Sequence, residues 1–230
     1  MKPREGLILD MGDVLCDATI WRRWLLQFLR HFGLQTHYRA FFQVWERDFL
    51  FHAWCGRQGY WQAFRCFLQT TGLTHGQIDE IVAAGAARLR KFDDEVRPLP
   101  GVKNTISKLA SDGYHVSVLT NSCYSESKLI TLLDRMGLAD SIECVTSSRD
   151  LGHAQPEKVC YEQAIRRLGL DVASVTYVGH DARELRGAMN VGLWTMAVNH
   201  EVNVEADIYL DQFDQLPEAL SHRRQYRAAA

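Results

Sequence analysis

An acidic residue near the start of the chain sits where chemistry is commonly done. Leu7-Ile8-Leu9 is a short apolar run that ends on Asp10, passes through Gly12-Asp13 and resumes at Val14-Leu15. An apolar run of this length bounded by turn residues predicts a fully buried strand. A carboxylate at the carboxyl end of such a strand lies where open α/β sheets bind their ligands. Burying it without a partner is costly, so a metal ion, another cation or a catalytic task would account for it. Asp-x-Gly is also a turn sequence in which the aspartate bonds its own backbone, and the residues alone leave that alternative open.

Later segments share this setting. Thr120-Asn121-Ser122 follows the apolar stretch His115–Leu119 and places hydroxyl and amide groups at a helix start, where backbone N–H groups also favour an anion. Such residues serve equally as helix caps. Gly152-His153-Ala154-Gln155-Pro156-Glu157-Lys158 opens another helix, and Gly179-His180-Asp181 with Glu184 follows the apolar Val175–Val178. Gly-His-Asp by itself is a common turn.

The elements that must position these residues follow from hydrophobic periodicity. Trp21, Trp24, Leu25, Phe28, Leu29 and Phe32 recur at helical spacing, and Gly33 ends that helix. Tyr38–Phe51, Tyr60–Thr70 and His75–Lys91 are further helical stretches, the last opened by a capping box of Thr74 with Gln77. Arg97-Pro98-Leu99-Pro100-Gly101 breaks the pattern. Beyond it helices are expected at Val102–Asp112, Tyr124–Met136, Pro156–Leu168 and Ala182–Val191. They alternate with strands at His115–Leu119, Ile142–Thr146, Val175–Val178 and Trp194–Val198. A short strand at Ile208–Leu210 and a helix near Leu216–Ser221 close the chain. Such alternation predicts parallel βαβ units. The fold class is therefore α/β, a three-layer parallel sheet of Rossmann type with an inserted helical domain. Residues 1–17 and 98–222 form the core, residues 18–97 the insertion, and residues 223–230 a frayed tail. Tryptophans in the insertion serve its core, unless some of them wall the Asp10 cleft.

The composition sets bounds. The 230 residues are 47% hydrophobic and 23% charged, as in ordinary globular proteins, and the formal net charge is −2 with no long basic run. Nothing points to a nucleic-acid partner, and no apolar stretch is long enough to span a membrane or to serve as a signal peptide. Six cysteines scattered singly fit reduced thiols in a cytoplasm. Oligomeric state leaves no signature in the sequence.

Taken in order, these motifs resemble those of the haloacid dehalogenase-like hydrolase superfamily over roughly residues 6–200. The helical insert after the first motif is similar to that family's four-helix C1 cap, and Gly187-Ala188-Met189-Asn190-Val191-Gly192 resembles the helix and glycine turn after its fourth motif. The resemblance implies a covalent mechanism in which Asp10 attacks phosphorus to give an aspartyl-phosphate that water hydrolyses. It implies Mg²⁺ held by Asp10, the Gly12 carbonyl and fourth-motif groups at His180, Asp181 and Glu184. Thr120, Asn121 and Ser122 would bind the substrate's phosphoryl oxygens.

The sequence departs from the family pattern at particular positions. The family's second aspartate, a general acid/base, is replaced by Gly12, with Asp13 one step later as the candidate substitute. Losing such a group costs ~10²–10⁴-fold in rate. The lysine of the third motif is replaced by Gln155, with Lys158 one turn on as the candidate substitute. His180 stands at the fourth motif's first aspartate; neutral histidine suits Mn²⁺ or Zn²⁺ better than Mg²⁺. The expectation is a metal-dependent phosphatase acting on a small phosphorylated metabolite. The alternatives are a metal-independent hydrolase of the dehalogenase type and a catalytically impaired binding or regulatory protein.

Overall fold

The computed structural model describes residues 4–200 and 202–229, with side chains described through Arg223. The chain opens with β1 (Gly6–Leu9) and continues into α1 (Thr19–Arg30), α2 (Tyr38–Val44), α3 (Phe51–Trp54), α4 (Tyr60–Gln69) and α5 (His75–Glu95). Next come α6 (Val102–Ser111), β2 (His115–Thr120), α7 (Glu126–Arg135), β3 (Cys144–Ser147), α8 (Ser148–Leu151) and α9 (Lys158–Leu168). The last elements are β4 (Val175–Gly179), α10 (Ala182–Asn190), β5 (Trp194–Val198), β6 (Ile208–Leu210) and α11 (Leu216–Ala229).

The six strands form one sheet in the order β3-β2-β1-β4-β5-β6, all parallel. β1 lies inside the sheet, with Leu9 paired to Val118 on one side and Val178 on the other. Its side chains alternate between two cores. Leu7 and Leu9 join Val116, Val118, Ile106 and Leu132 on one face, and Ile8 joins Tyr177, Tyr161 and Leu185 on the other. Leu7, Ile8 and Leu9 are fully buried, so each contributes about 1.5–3 kcal/mol of transfer free energy. The α/β layering expected from the sequence is thus present.

Helices α1 to α5 fall between β1 and α6 and pack around a core of their own. Trp45, only 2% exposed, meets Phe64 edge-on at 5.2 Å, and Trp21, Trp24 and Phe28 stack in sequence. The single helix expected over Tyr38–Phe51 is helical throughout, but its Trp45–Leu50 portion is wound as a π-helix. The Thr74–Gln77 capping box is formed. The two strands of chain that join the insertion to the sheet run side by side, with Leu99 N–H donating to the Leu15 carbonyl (2.8 Å). On the far side, Tyr124 OH donates to the buried Asp93 of α5 (3.0 Å), which also meets Lys128 Nζ (3.1 Å). No described helix is long and apolar enough to cross a membrane, and all six cysteines are unpaired.

The expectation at the C-terminus needs correction. In place of a short helix and a frayed tail, α11 continues to Ala229; Ala230 lies outside the described residues. The reason is Arg223, which is 4% exposed. Its guanidinium donates to Thr176 Oγ1 and to the carbonyls of Ala173 (2.7 Å) and Val175 (3.2 Å), and lies over the Trp194 ring at 5.8 Å. A basic residue read as solvated is therefore an anchor at the start of β4. Arg223→Ala leaves those acceptors unmet and a gap beneath the helix, so it should cost about 2–4 kcal/mol and lower Tm by roughly 5–10 °C. A chain ended at Ser221 should show a loss at least as large, and an unchanged melt for both would refute the anchor.

Candidate functional site

Asp10 sits one residue past β1, at the carboxyl edge of the sheet, where β1 separates β2 from β4. Its N–H donates to the Val178 carbonyl (3.0 Å), which continues the β1–β4 ladder and fixes the residue in place. The side chain is 4% exposed and faces a cavity of about 140 Å³ between the sheet edge and the inserted helices. Thr120, Asn121, Gln155 and His180 line that cavity from the sheet side, and Arg22, Glu46, Phe51 and Trp54 from the insertion. Of the five tryptophans in the insertion, Trp54 is the one that lines the cavity.

The electrostatics of the cavity are organised around Asp10. Oδ1 accepts the Met11 N–H (2.7 Å), and Oδ2 lies 3.3 Å from His180 Nδ1. The other ring nitrogen, Nε2, lies 3.7 Å from Asp13 Oδ2. Burial alone would lower the pKa of His180, but Asp10, Glu184 and Asp13 reverse this and raise it to about 9. The ring is therefore an imidazolium at neutral pH.

Asp13 adopts the left-handed backbone conformation (φ 56°), and its Oδ1 accepts the Ala18 N–H (3.0 Å). Its Oδ2 also faces Arg22 Nη1 (3.5 Å), and Arg22 Nη2 reaches Glu46 Oε1 (3.1 Å) on the π-helical turn. In sequence Arg22 and Arg23 are equally able to meet an anionic substrate or to lie on a solvated helix face; the fold turns Arg22 to the cavity and leaves Arg23 exposed. The aromatic periodicity of α1 was the available signal, since it set which side of the helix turns inward.

Behind this charged front lies a hydrogen-bonded network. Asn121 clasps the Gln155 backbone, accepting its N–H (2.7 Å) and donating to its carbonyl (3.1 Å). Asn121 Nδ2 also donates to Glu184 Oε1 (2.9 Å), and Gln155 Nε2 donates to Tyr177 OH (2.8 Å). Tyr177 OH in turn donates to Glu184 Oε2 (3.2 Å). Burial first, then the charges of Asp10 and Asp181, push the pKa of Glu184 well above the usual carboxylate range. Tyr177 carried no sequence signal beyond its place in a buried strand.

Several expected site residues lie elsewhere or are already engaged. Lys158 is exposed at the start of α9 and pairs with Glu162 (2.9 Å), so it does not take the place of the missing lysine. Ser122 is held in the turn, with its N–H donating to Ser148 Oγ (2.9 Å) and its Oγ accepting the Tyr124 N–H (3.1 Å). Asp181 Oδ1 caps α10 by accepting the N–H groups of Arg183 (2.8 Å) and Glu184 (3.0 Å). Thr120 is buried at the end of β2 and lines the cavity, as expected.

These placements bear on the divalent cation implied by the resemblance. Mg²⁺ takes six oxygen donors in near-octahedral array at about 2.0–2.1 Å. Here Asp181 is spent on a helix cap, Glu184 is enclosed by Asn121 and Tyr177, and an imidazole stands between Asp10 and Asp13. Among the described residues no three His, Cys, Asp or Glu side chains converge as a metal site. The residues present do not fit the ion.

The chain is 25% identical over 170 residues to a phosphoglycolate phosphatase of Agrobacterium fabrum, covering 71% of this chain and 72% of that one. It is 30% identical over 116 residues to the (S)-2-haloacid dehalogenase 4A of Burkholderia cepacia, covering 50% and 49% respectively. The chain spans about half the length of several of the curated relatives it matches, a ribulose-1,5-bisphosphate 5-phosphatase of Halopiger xanaduensis among them. Among solved structures, a hydrolase from Deinococcus radiodurans with bound phosphate and sodium superposes with a TM-score of 0.72 at 16% identity, over 96% of this chain and 97% of that one. Such a likeness establishes the fold. The sequence model of the haloacid dehalogenase-like hydrolases matches residues 60–198, more than half of the chain, and this protein therefore belongs to that family.

Proposed function

We propose that the protein is a hydrolase of small phosphate monoesters in which Asp10 is the nucleophile and the inserted helices, residues 18–97, act as a cap. The observation that carries this reading is the Asp10 carboxylate itself, buried at the carboxyl edge of an interior strand and facing a small cavity. The Asp10 carboxylate would attack phosphorus, forming an Asp–O–P bond as the bond to the alcohol breaks. Water would then attack the same phosphorus, releasing inorganic phosphate and restoring Asp10. Splitting the displacement in this way lowers both barriers.

Other residues support the reading. Arg22, Arg47 and Arg183 line the cavity beside His180 and offer donors suited to an anionic substrate. Thr120 and the backbone beyond it stand where phosphoryl oxygens would be held, and the cap would exclude water during the first step. The size of the cavity favours a substrate of few atoms. Likeness to a phosphoglycolate phosphatase points the same way. The unpaired thiols suit the cytoplasm. A second reading, attack by Asp10 on the carbon of a 2-haloacid, is favoured by the lack of fit for a metal and by likeness to a haloacid dehalogenase.

Release of phosphate from short-chain phosphate monoesters, measured beside release of halide from 2-haloacids, separates the two. Asp10→Asn should lower whichever turnover is seen by at least about 10³-fold while moving Tm by no more than about 3 °C. Unchanged turnover in that variant would end the mechanism. Lys158→Ala should leave turnover within about twofold, since that side chain lies outside the cavity.

The raised pKa of His180 sets a direction for stability against pH. The folded chain holds this proton more tightly than the unfolded one, so the contribution is complete below about pH 6.5 and is lost as pH rises through about 9. It amounts to at most about 3 kcal/mol. Denaturant midpoints measured between these limits should fall with pH, and His180→Gln should flatten that fall.

A further inference from the structure

The region where a divalent cation would meet Asp10 is filled by a side chain. His180 follows β4 directly, so its backbone is fixed by the sheet, and its ring stands between two carboxylates. Nδ1 faces Asp10 Oδ2 at 3.3 Å and Nε2 faces Asp13 Oδ2 at 3.7 Å. The ring thus occupies the space between the two carboxylates, each of its nitrogens turned to one of them. A cation that bridged the same carboxylates would have to displace this ring. It would also have to draw Asp181 from the N-terminus of α10, where its carboxylate accepts two backbone N–H groups.

A second positive group completes the arrangement. Arg22 reaches from α1 to Asp13 at 3.5 Å and is itself held by Glu46 at 3.1 Å. The side chains of His180 and Arg22 thus stand where an inorganic ion would have to approach Asp10 and Asp13. Asp13 sits in a left-handed turn. The turn brings Asp13 to the far side of the ring that faces Asp10.

We propose that the His180 side chain, clamped between Asp10 and Asp13 and backed by Arg22, takes the place of the divalent cation in this cleft, and that the natural chain binds neither Mg²⁺ nor Mn²⁺ there. The inference rests on Asp10 being the centre of the site, as in the function proposed above. Its test reads binding and not turnover, so either proposal can fail without the other.

The test is calorimetric titration of Mg²⁺ and of Mn²⁺ into chelator-treated protein, with thermal melts in each metal, for the natural chain, Asp10→Asn and His180→Asp. The natural chain should show no saturable uptake and no metal-dependent shift in Tm. His180→Asp, which exchanges the ring for a third carboxylate, should acquire saturable uptake and gain roughly 5 °C in Tm at metal well above its Kd. Saturable binding by the natural chain that vanishes in Asp10→Asn overturns the proposal. So does a folded His180→Asp chain that takes up no metal. If His180→Asp does not fold, the natural chain against Asp10→Asn still decides the question.

Discussion

A carboxylate taken out of water must be answered by donors or by positive charge, and much of this structure follows from how Asp10 is answered. One oxygen takes the next backbone N–H and the other faces His180. His180 is then poised against Asp13, Asp13 against Arg22, and Arg22 against Glu46. The signs alternate along this line, which starts at an interior strand and ends on the inserted helices. Each member is partly withdrawn from solvent, so screening is weak and removing one leaves its neighbours unmet. The same line of charge that settles Asp10 therefore also ties the insertion to the sheet.

The other side of the cavity is built on a different principle. Asn121, Gln155, Tyr177 and Glu184 are joined by hydrogen bonds. Such a network fixes the loop before α9 and the start of α10 against the sheet. A second link between insertion and sheet, centred on Asp93 with Tyr124 and Lys128, lies on the side of α5 and α7. The inserted helices are held at both ends of their contact with the sheet.

Most of the architecture could be read from periodicity. The alternation of Leu7, Ile8 and Leu9 between two cores and the aromatic spacing of α1 are local patterns with one physical solution. Asp10 and Thr120 were legible for the same reason, since each ends an apolar run. Arg223 was not legible, because a basic residue in a polar segment looks solvated until the carbonyls of Ala173 and Val175 are placed beneath it. Lys158 was not legible for a related reason. Spacing sets which turn of a helix a side chain occupies, but not whether a cap or an ion pair has already claimed it. Tyr177 and Arg22 owe their importance to partners more than a turn away in the chain, and no local pattern carries that information.

The strand order has a consequence for how the chain comes to be folded at all. β1 is made first, yet its neighbours are β2 and β4, so Gly6 waits for His115 on one side and Val175 on the other. During synthesis the inserted helices can gather their aromatic core while Leu7-Ile8-Leu9 still has no sheet to join. Pairing across such separations is slow, because the loop must be closed before any contact is gained. Through that interval an apolar strand with free edges is exposed to other chains. The order of elements that gives Asp10 its interior position thus makes its strand the segment with the longest wait for partners and the greatest need for protection.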